Sequence, residues 1–154
     1  MLIATRSGKI NISKEKDTKL IAERLCKHIN LGDFILLTGN LGVGKTTFIK
    51  YIINSLQRIN RQKLSEVPSP TFNITNEYQV KKILIKHIDL YRIKNEKELN
   101  NLGIQENLKK QITLVEWPEI IKKLKIKSSI SLIFKYNESY TERCLLYTSD
   151  AADE

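Results

Sequence analysis

The sequence predicts an α/β fold with a mostly parallel central sheet and an antiparallel C-terminal hairpin. Three observations predict it. Residues 34–38 (Phe-Ile-Leu-Leu-Thr) and 112–116 (Ile-Thr-Leu-Val-Glu) are short, largely apolar runs, the pattern of strands buried on both faces. The first run passes straight into a glycine-rich loop and then into residues 46–56, where Phe48, Ile49, Ile52, Ile53 and Leu56 recur at helical spacing. Residues 129–136 and 140–147 flank Asn137-Glu138-Ser139 as a final antiparallel pair.

The remaining elements follow in order. Residues 14–29 carry Leu20, Ile21, Leu25, Cys26 and Ile29 on one helical face, with Ser13 as the expected N-cap and Leu31-Gly32-Asp33 as the stop. Residues 57–70 are polar and read as loop. Residues 72–80 and 83–89 alternate like strands around a Lys81-Lys82 turn. A short helix is expected over 95–107, capped by Asn95 with Glu98 at the capping-box position. Pro118 suits the first turn of a helix running to Leu124.

Hydrophobic residues make up 41% and charged residues 28% of 154 positions, which excludes a disordered or fibrous chain and predicts one globular domain. The net charge of +9 and pI near 9.5 fit an acidic partner. Ile, Lys and Asn fill about a third of the chain, so an AT-rich coding bias explains the charge equally well. No apolar run reaches the roughly 18–20 residues of a membrane span, and the N-terminus lacks a signal-peptide layout; a cytoplasmic location with no membrane partner is expected. Cys26 and Cys144 show no CxxC spacing, so neither a zinc site nor a disulfide framework is predicted. Residues 145–154 contain no Lys, Ile or Asn and carry three acids and no base. That shift predicts a domain over residues 1–144, followed by a last strand and tail over 145–154 that is either partly non-native or simply a frayed acidic tail.

The chemistry concentrates in Gly39-Asn40-Leu41-Gly42-Val43-Gly44-Lys45-Thr46, which matches G-x-x-x-x-G-K-[ST] at every fixed position. Its place between strand and helix predicts a P-loop NTPase three-layer fold. Glycines let backbone N–H groups converge on phosphates, and the helix N-terminus adds partial positive charge. Lys45 is expected to bridge the β- and γ-phosphates, Thr46 to ligate Mg²⁺ and Thr47 to touch the α-phosphate. A phosphate-bound Mg²⁺ also calls for a carboxylate at the C-terminal end of a neighbouring strand, and both Asp89 and Glu116 qualify. His87 and Asp89 share a strand face, which suits either a polar relay or a merely half-buried histidine. Trp117 reads as a core anchor or as a site-lining ring. Ser69-Pro70-Thr71-Phe72 suits a loop that senses the γ-phosphate, or an ordinary turn.

Taken together, GNLGVGKTT, SPTF, HIDLYRI, an acidic helix ending in ELNNLGI, and LVEWPE resemble the TsaE (YjeE) family of bacterial P-loop ATPases, from Leu31 to Glu119, with Arg143 matching a basic position in the terminal hairpin. The resemblance implies a weak, partner-stimulated ATPase in the synthesis of threonylcarbamoyladenosine in tRNA. It implies action with a threonylcarbamoyl transferase of actin-like kinase fold and its paralogous subunit, with tRNA reached through that complex. It further implies that Lys45 and Thr46 bind phosphate and Mg²⁺ and that Glu116 is the second protein ligand. Asp89 becomes the catalytic or water-orienting carboxylate, and Ser69-Pro70-Thr71 a switch. Arg92 faces either the site or the partner. Two rival functions remain at this stage: a small-metabolite kinase, which would want an Arg-rich lid that six scattered arginines do not supply, and a nucleotide-switched RNA-binding module.

Overall fold

The computed structural model describes residues 7–123, 126 and 129–149. Its centre is β2 (Phe34–Thr38), paired in parallel with β5 (Gln111–Glu116) on one side and β6 (Ser129–Tyr136) on the other. Beyond β5 lie β4 (Ile83–Asp89), parallel to it, and β3 (Thr75–Val80), antiparallel to β4. Beyond β6 lie β7 (Arg143–Ser149) and β1 (Ser7–Asn11), each antiparallel to its neighbour. The sheet order is β1-β7-β6-β2-β5-β4-β3.

The sheet is therefore mixed, and the expectation of a mostly parallel sheet needs correction. Three of its six pairings are parallel and three antiparallel. The physical reason lies at the edges. The two hairpins read from the sequence, around Lys81-Lys82 and 137–142, are antiparallel because parallel strands require crossovers, and the unread β1 adds a third antiparallel pairing against β7. Strand β1 has no counterpart in the sequence reading; Ser-Gly-Lys-Ile-Asn is a weak strand pattern that β7 recruits as an edge partner.

One face of the sheet is covered by α1 (Glu15–Cys26) and α2 (Lys45–Ile59), which bury Ile21, Ala22, Leu25, Phe48, Ile49, Ile52 and Ile53 against β2, β5, β6 and β7. The opposite face carries a smaller cluster, in which α3 (Glu96–Asn101) and the 3-10 helix Pro118–Lys123 pack Leu99 and Ile121 on Phe34, Ile88 and Val115. Among the described residues no helix is long and apolar enough to cross a membrane.

Several boundaries move for identifiable reasons. Ser13 does not cap α1: Lys14 occupies the N-cap position, while the Ser13 hydroxyl accepts from the Arg143 backbone N–H at 2.9 Å. Helix α2 runs past residue 57 to Ile59, because Asn54 and Gln57 spend their buried amides on Ser65 and so tie the following loop to the helix. Strand β3 starts at Thr75 rather than Phe72, since the Ile74 N–H closes a turn on the Pro70 carbonyl at 2.6 Å and leaves Phe72 exposed. Helix α3 ends at Asn101, short of 107. Its cap is as expected, with the Glu98 N–H donating to Asn95 Oδ1 at 2.9 Å, but the Glu98 carboxylate reaches the Lys94 N–H instead of Asn95's own. The segment opened by Pro118 is 3-10 rather than α-helical; its expected end at Leu124, and the tail residues 150–154, lie outside the described residues.

Candidate functional site

The C-terminal ends of β2, β4 and β5 converge on one cleft of about 170 Å³, lined by residues 41–47 of the glycine loop together with Ser69, Thr71, Asp89, Glu116 and Trp117, Val43 excepted. Open α/β sheets place ligands at this edge because the loops that leave parallel strands can splay apart there.

The loop's conformation follows from its glycines. Gly42 and Gly44 sit at φ +76° and +116°, in the region that disfavours side chains. At Gly39 a Cβ would lie 2.8 Å from the Phe134 carbonyl oxygen and 2.9 Å from Val43, so the start of the loop has room only for glycine. Val43 is buried and Lys45 opens α2, which directs the helix N-terminus into the cleft.

Lys45 is 4% exposed. Its Nζ donates back to the Gly39 carbonyl and lies 3.4 Å from the centre of the Trp117 ring. Burial pushes its pKa below the ordinary lysine value, and the carboxylates of Glu116, Asp89 and Glu119 oppose that shift. Trp117 lines the site, with its ring centre 4.9 Å from that of Tyr91 and its plane tilted 50° to it. Its backbone is left-handed (φ +57°), a conformation costly for a bulky residue, and the half-buried indole both meets Lys45 and packs against the smaller core cluster, so it serves as site lining and core anchor at once.

Thr46 and Glu116 come together. The Thr46 hydroxyl is 3.0 Å from both carboxylate oxygens of Glu116, and His87 Nε2 stands 2.6 Å from Oε2. The parallel register sets Asp89 directly opposite Glu116, with His87 two residues behind on the same face. Asp89 is buried and its two oxygens accept from the Thr71 hydroxyl at 3.0 Å and the Tyr91 N–H at 2.9 Å. Ser69 and Thr71 share a hydroxyl hydrogen bond at 2.7 Å, so the Ser69-Pro70-Thr71 segment is latched onto the Asp89 carboxylate.

Most sequence-predicted site residues thus meet in one place. Gly39, Asn40 and Val43 shape the loop without lining this cleft, and His87 contacts Glu116 from behind rather than facing the cleft. Arg92 lies outside as well: it is exposed, with its guanidinium 5.3 Å from the exposed Phe72 ring. Two further contacts escaped the sequence reading. The Tyr136 hydroxyl donates to the Gly42 carbonyl at 3.3 Å, and Arg143 Nη1 donates to the Val43 carbonyl at 3.3 Å, bracing the loop from the hairpin. Arg143 had a signal only as a basic position in that hairpin, and Tyr136 had none.

Comparison with known proteins bears on the family and the fold. The sequence profile of the family described as threonylcarbamoyl adenosine biosynthesis protein TsaE matches residues 12–145. The Rickettsia felis protein named tRNA threonylcarbamoyladenosine biosynthesis protein TsaE is 34% identical over 140 residues, covering 91% of this chain and 80% of that protein. Its namesake from Bacillus subtilis is 36% identical over 121 residues, 78% of this chain and 72% of the relative. The crystal structure of Bacillus subtilis YdiB superposes with a TM-score of 0.74 at 26% identity, covering 94% of this chain and 86% of that one. With a family match across most of its length and a glycine loop, strand-end carboxylates and mixed seven-stranded sheet arranged around one cleft, the chain belongs to the TsaE family.

Proposed function

We propose that the chain is a Mg²⁺-dependent ATPase of P-loop NTPase fold that serves tRNA threonylcarbamoyladenosine biosynthesis in the cytoplasm. It acts there with a threonylcarbamoyl transferase of actin-like kinase fold and its paralogous subunit, and meets tRNA through that complex. The observation that carries the ATPase reading is the Thr46–Glu116 pair at the mouth of the glycine loop: a hydroxyl and a carboxylate, both hard oxygen donors, meeting at 3.0 Å beside a buried lysine. Among the described residues no group of three His, Cys, Asp or Glu forms a cage. That suits Mg²⁺, which takes one or two protein oxygens and completes its shell with phosphate oxygens and water.

In this reading Thr46 and Glu116 hold the cation, which when bound neutralises charge on the terminal phosphates. Lys45 gives up the Gly39 carbonyl for the phosphate chain, and loop N–H groups of residues 42–47 cradle it. Asp89 orients water for attack. Both its oxygens are occupied by Thr71 and Tyr91, so freeing one requires the Ser69–Thr71 latch to open. A site that must first unlatch is slow alone, and a partner that pulls on residues 69–71 accelerates it.

The test is calorimetric titration of ATP into the wild-type chain and the Lys45→Ala variant. The variant is expected to lose tight binding while remaining folded. Wild-type affinity in Lys45→Ala would overturn the phosphate-loop reading. A pull-down with the transferase pair, with and without ATP, tests the partner assignment.

A further inference from the structure

The geometry points to His87 as the positioning residue that fixes the Glu116 carboxylate for a divalent cation, an inference that rests on the reading of Thr46 and Glu116 as cation ligands. His87 is fully buried on β4. It shares its face with Ile85 on its own strand and lies beside Leu114 of β5, both core residues. Among the described residues only one of its nitrogens has a partner: Nε2 meets Glu116 Oε2 at 2.6 Å, while Nδ1 is buried with none. A buried polar atom without a partner destabilises the fold, and an aliphatic side chain would fill this place among Ile85 and Leu114 without that cost. The imidazole is therefore explained by what Nε2 does.

What it does follows from the other contacts of Glu116. The terminal torsion of a glutamate is broad, so packing alone does not set the plane of its carboxylate. Thr46 offers one hydroxyl proton to two oxygens at equal distance, which leaves that plane free to turn. Asp89 stands opposite in register, but its oxygens are committed to Thr71 and Tyr91. Among the described residues His87 is the one that reaches Glu116 from behind the cleft. It engages Oε2, while Oε1 has the Thr46 hydroxyl as its one partner among the described residues, and Glu116 lines the cleft. A partner of this kind, which orients a ligand without touching the metal, commonly contributes tenfold or more to metal affinity.

The experiment measures, by calorimetry on the full chain, the Mg²⁺ concentration that half-maximally tightens ADP binding, alongside ADP affinity in EDTA. His87→Leu is expected to raise the Mg²⁺ midpoint roughly tenfold or more and leave ADP affinity in EDTA unchanged. His87→Gln, whose amide nitrogen reaches where Nε2 stands, is expected to stay within about threefold of wild type. His87→Asn, one methylene shorter, is expected to behave like His87→Leu, and it replaces that variant if the apolar substitution does not fold. A wild-type midpoint in His87→Leu or His87→Asn overturns the proposal. So does a His87→Gln variant as impaired as the others, or an equal loss of ADP affinity in EDTA, since either makes the residue a packing element. Glu116→Ala serves as the control. If it keeps the wild-type Mg²⁺ dependence, the ligand assignment itself fails and the positioning role falls with it.

Discussion

Lys45 faces its own loop, holding the Gly39 carbonyl beneath the Trp117 ring, so under the proposed function phosphates must displace contacts already made. Asp89 is in the same condition, latched by Thr71 and Tyr91. Asp89→Asn is nearly isosteric and keeps a hydrogen-bonding carbonyl, so ATP binding should survive. Partner-stimulated hydrolysis should fall roughly 10²-fold or more, as loss of a group that accepts or orients a proton commonly does. Turnover assays with the transferase pair measure it, and unchanged turnover would return Asp89 to a structural role. Cys26 behaves in the opposite way, with no bond-making to do: burial raises its thiol pKa to about 12. At pH 8 iodoacetamide should label it only after denaturation, as mass spectrometry of the alkylated chain would show. Its folded pKa lies above the ordinary thiol value, so the protonated form adds stability below about pH 9 that is lost as the pH rises toward 12. At this scale the sequence was most legible where chemistry constrains residue type. The loop glycines, Lys45 and Thr46 could be named because the glycine-loop motif fixes those residue types in that order, whereas the residues alone left Asp89 and Glu116 as alternative carboxylates and only the resemblance to the family separated them. Tyr136 and Arg143 hold the same loop from 94 and 100 residues away, a distance that no local pattern spans.

Elements were read well where periodicity was strong and poorly where their ends depend on tertiary partners. Helix α2 was recognisable from its apolar stripe, yet its last turn depends on Gln57 and Asn54 gripping Ser65, a contact invisible in a stretch that looks polar. Ser13 has the right chemistry for a cap, but the Arg143 N–H claims its oxygen because β7 passes the start of α1. Asn95 is the cap that holds. It satisfies the Glu98 N–H, and Glu98 in turn satisfies the Lys94 N–H, at the head of a helix only six residues long. A helix this short depends on its cap. Asn95→Ala should therefore destabilise the chain by about 1 kcal/mol, measurable as a shift in the urea midpoint at unchanged slope.

On the scale of the molecule, the α/β class and the central β2–β5 neighbourhood were legible, because buried parallel strands have an unmistakable composition. The balance of parallel and antiparallel pairings was not, because β1 becomes a strand only by lying against β7. The larger core is organised around Phe48, fully buried and edge-on to Phe134 at 5.6 Å. Phe48→Ala should cost about 3–5 kcal/mol in a denaturation curve. It should also loosen the site, since Phe48 sits in the first turn of α2, two residues after Thr46.

The sheet also acts as a partition. Thr46, His87, Asp89 and Glu116 belong to the side where α1 and α2 build the larger core, whereas α3 and the Pro118–Lys123 turn rest on a cluster of seven buried residues across the strands. Opening on the thin side breaks few apolar contacts and leaves the loop and its carboxylates standing. In deuterium exchange the amides of α3 should therefore exchange early, while those of β2 and β5 persist until the whole chain opens. The thin side can yield to another surface at little cost to the fold, and the glycine loop keeps its shape while it does.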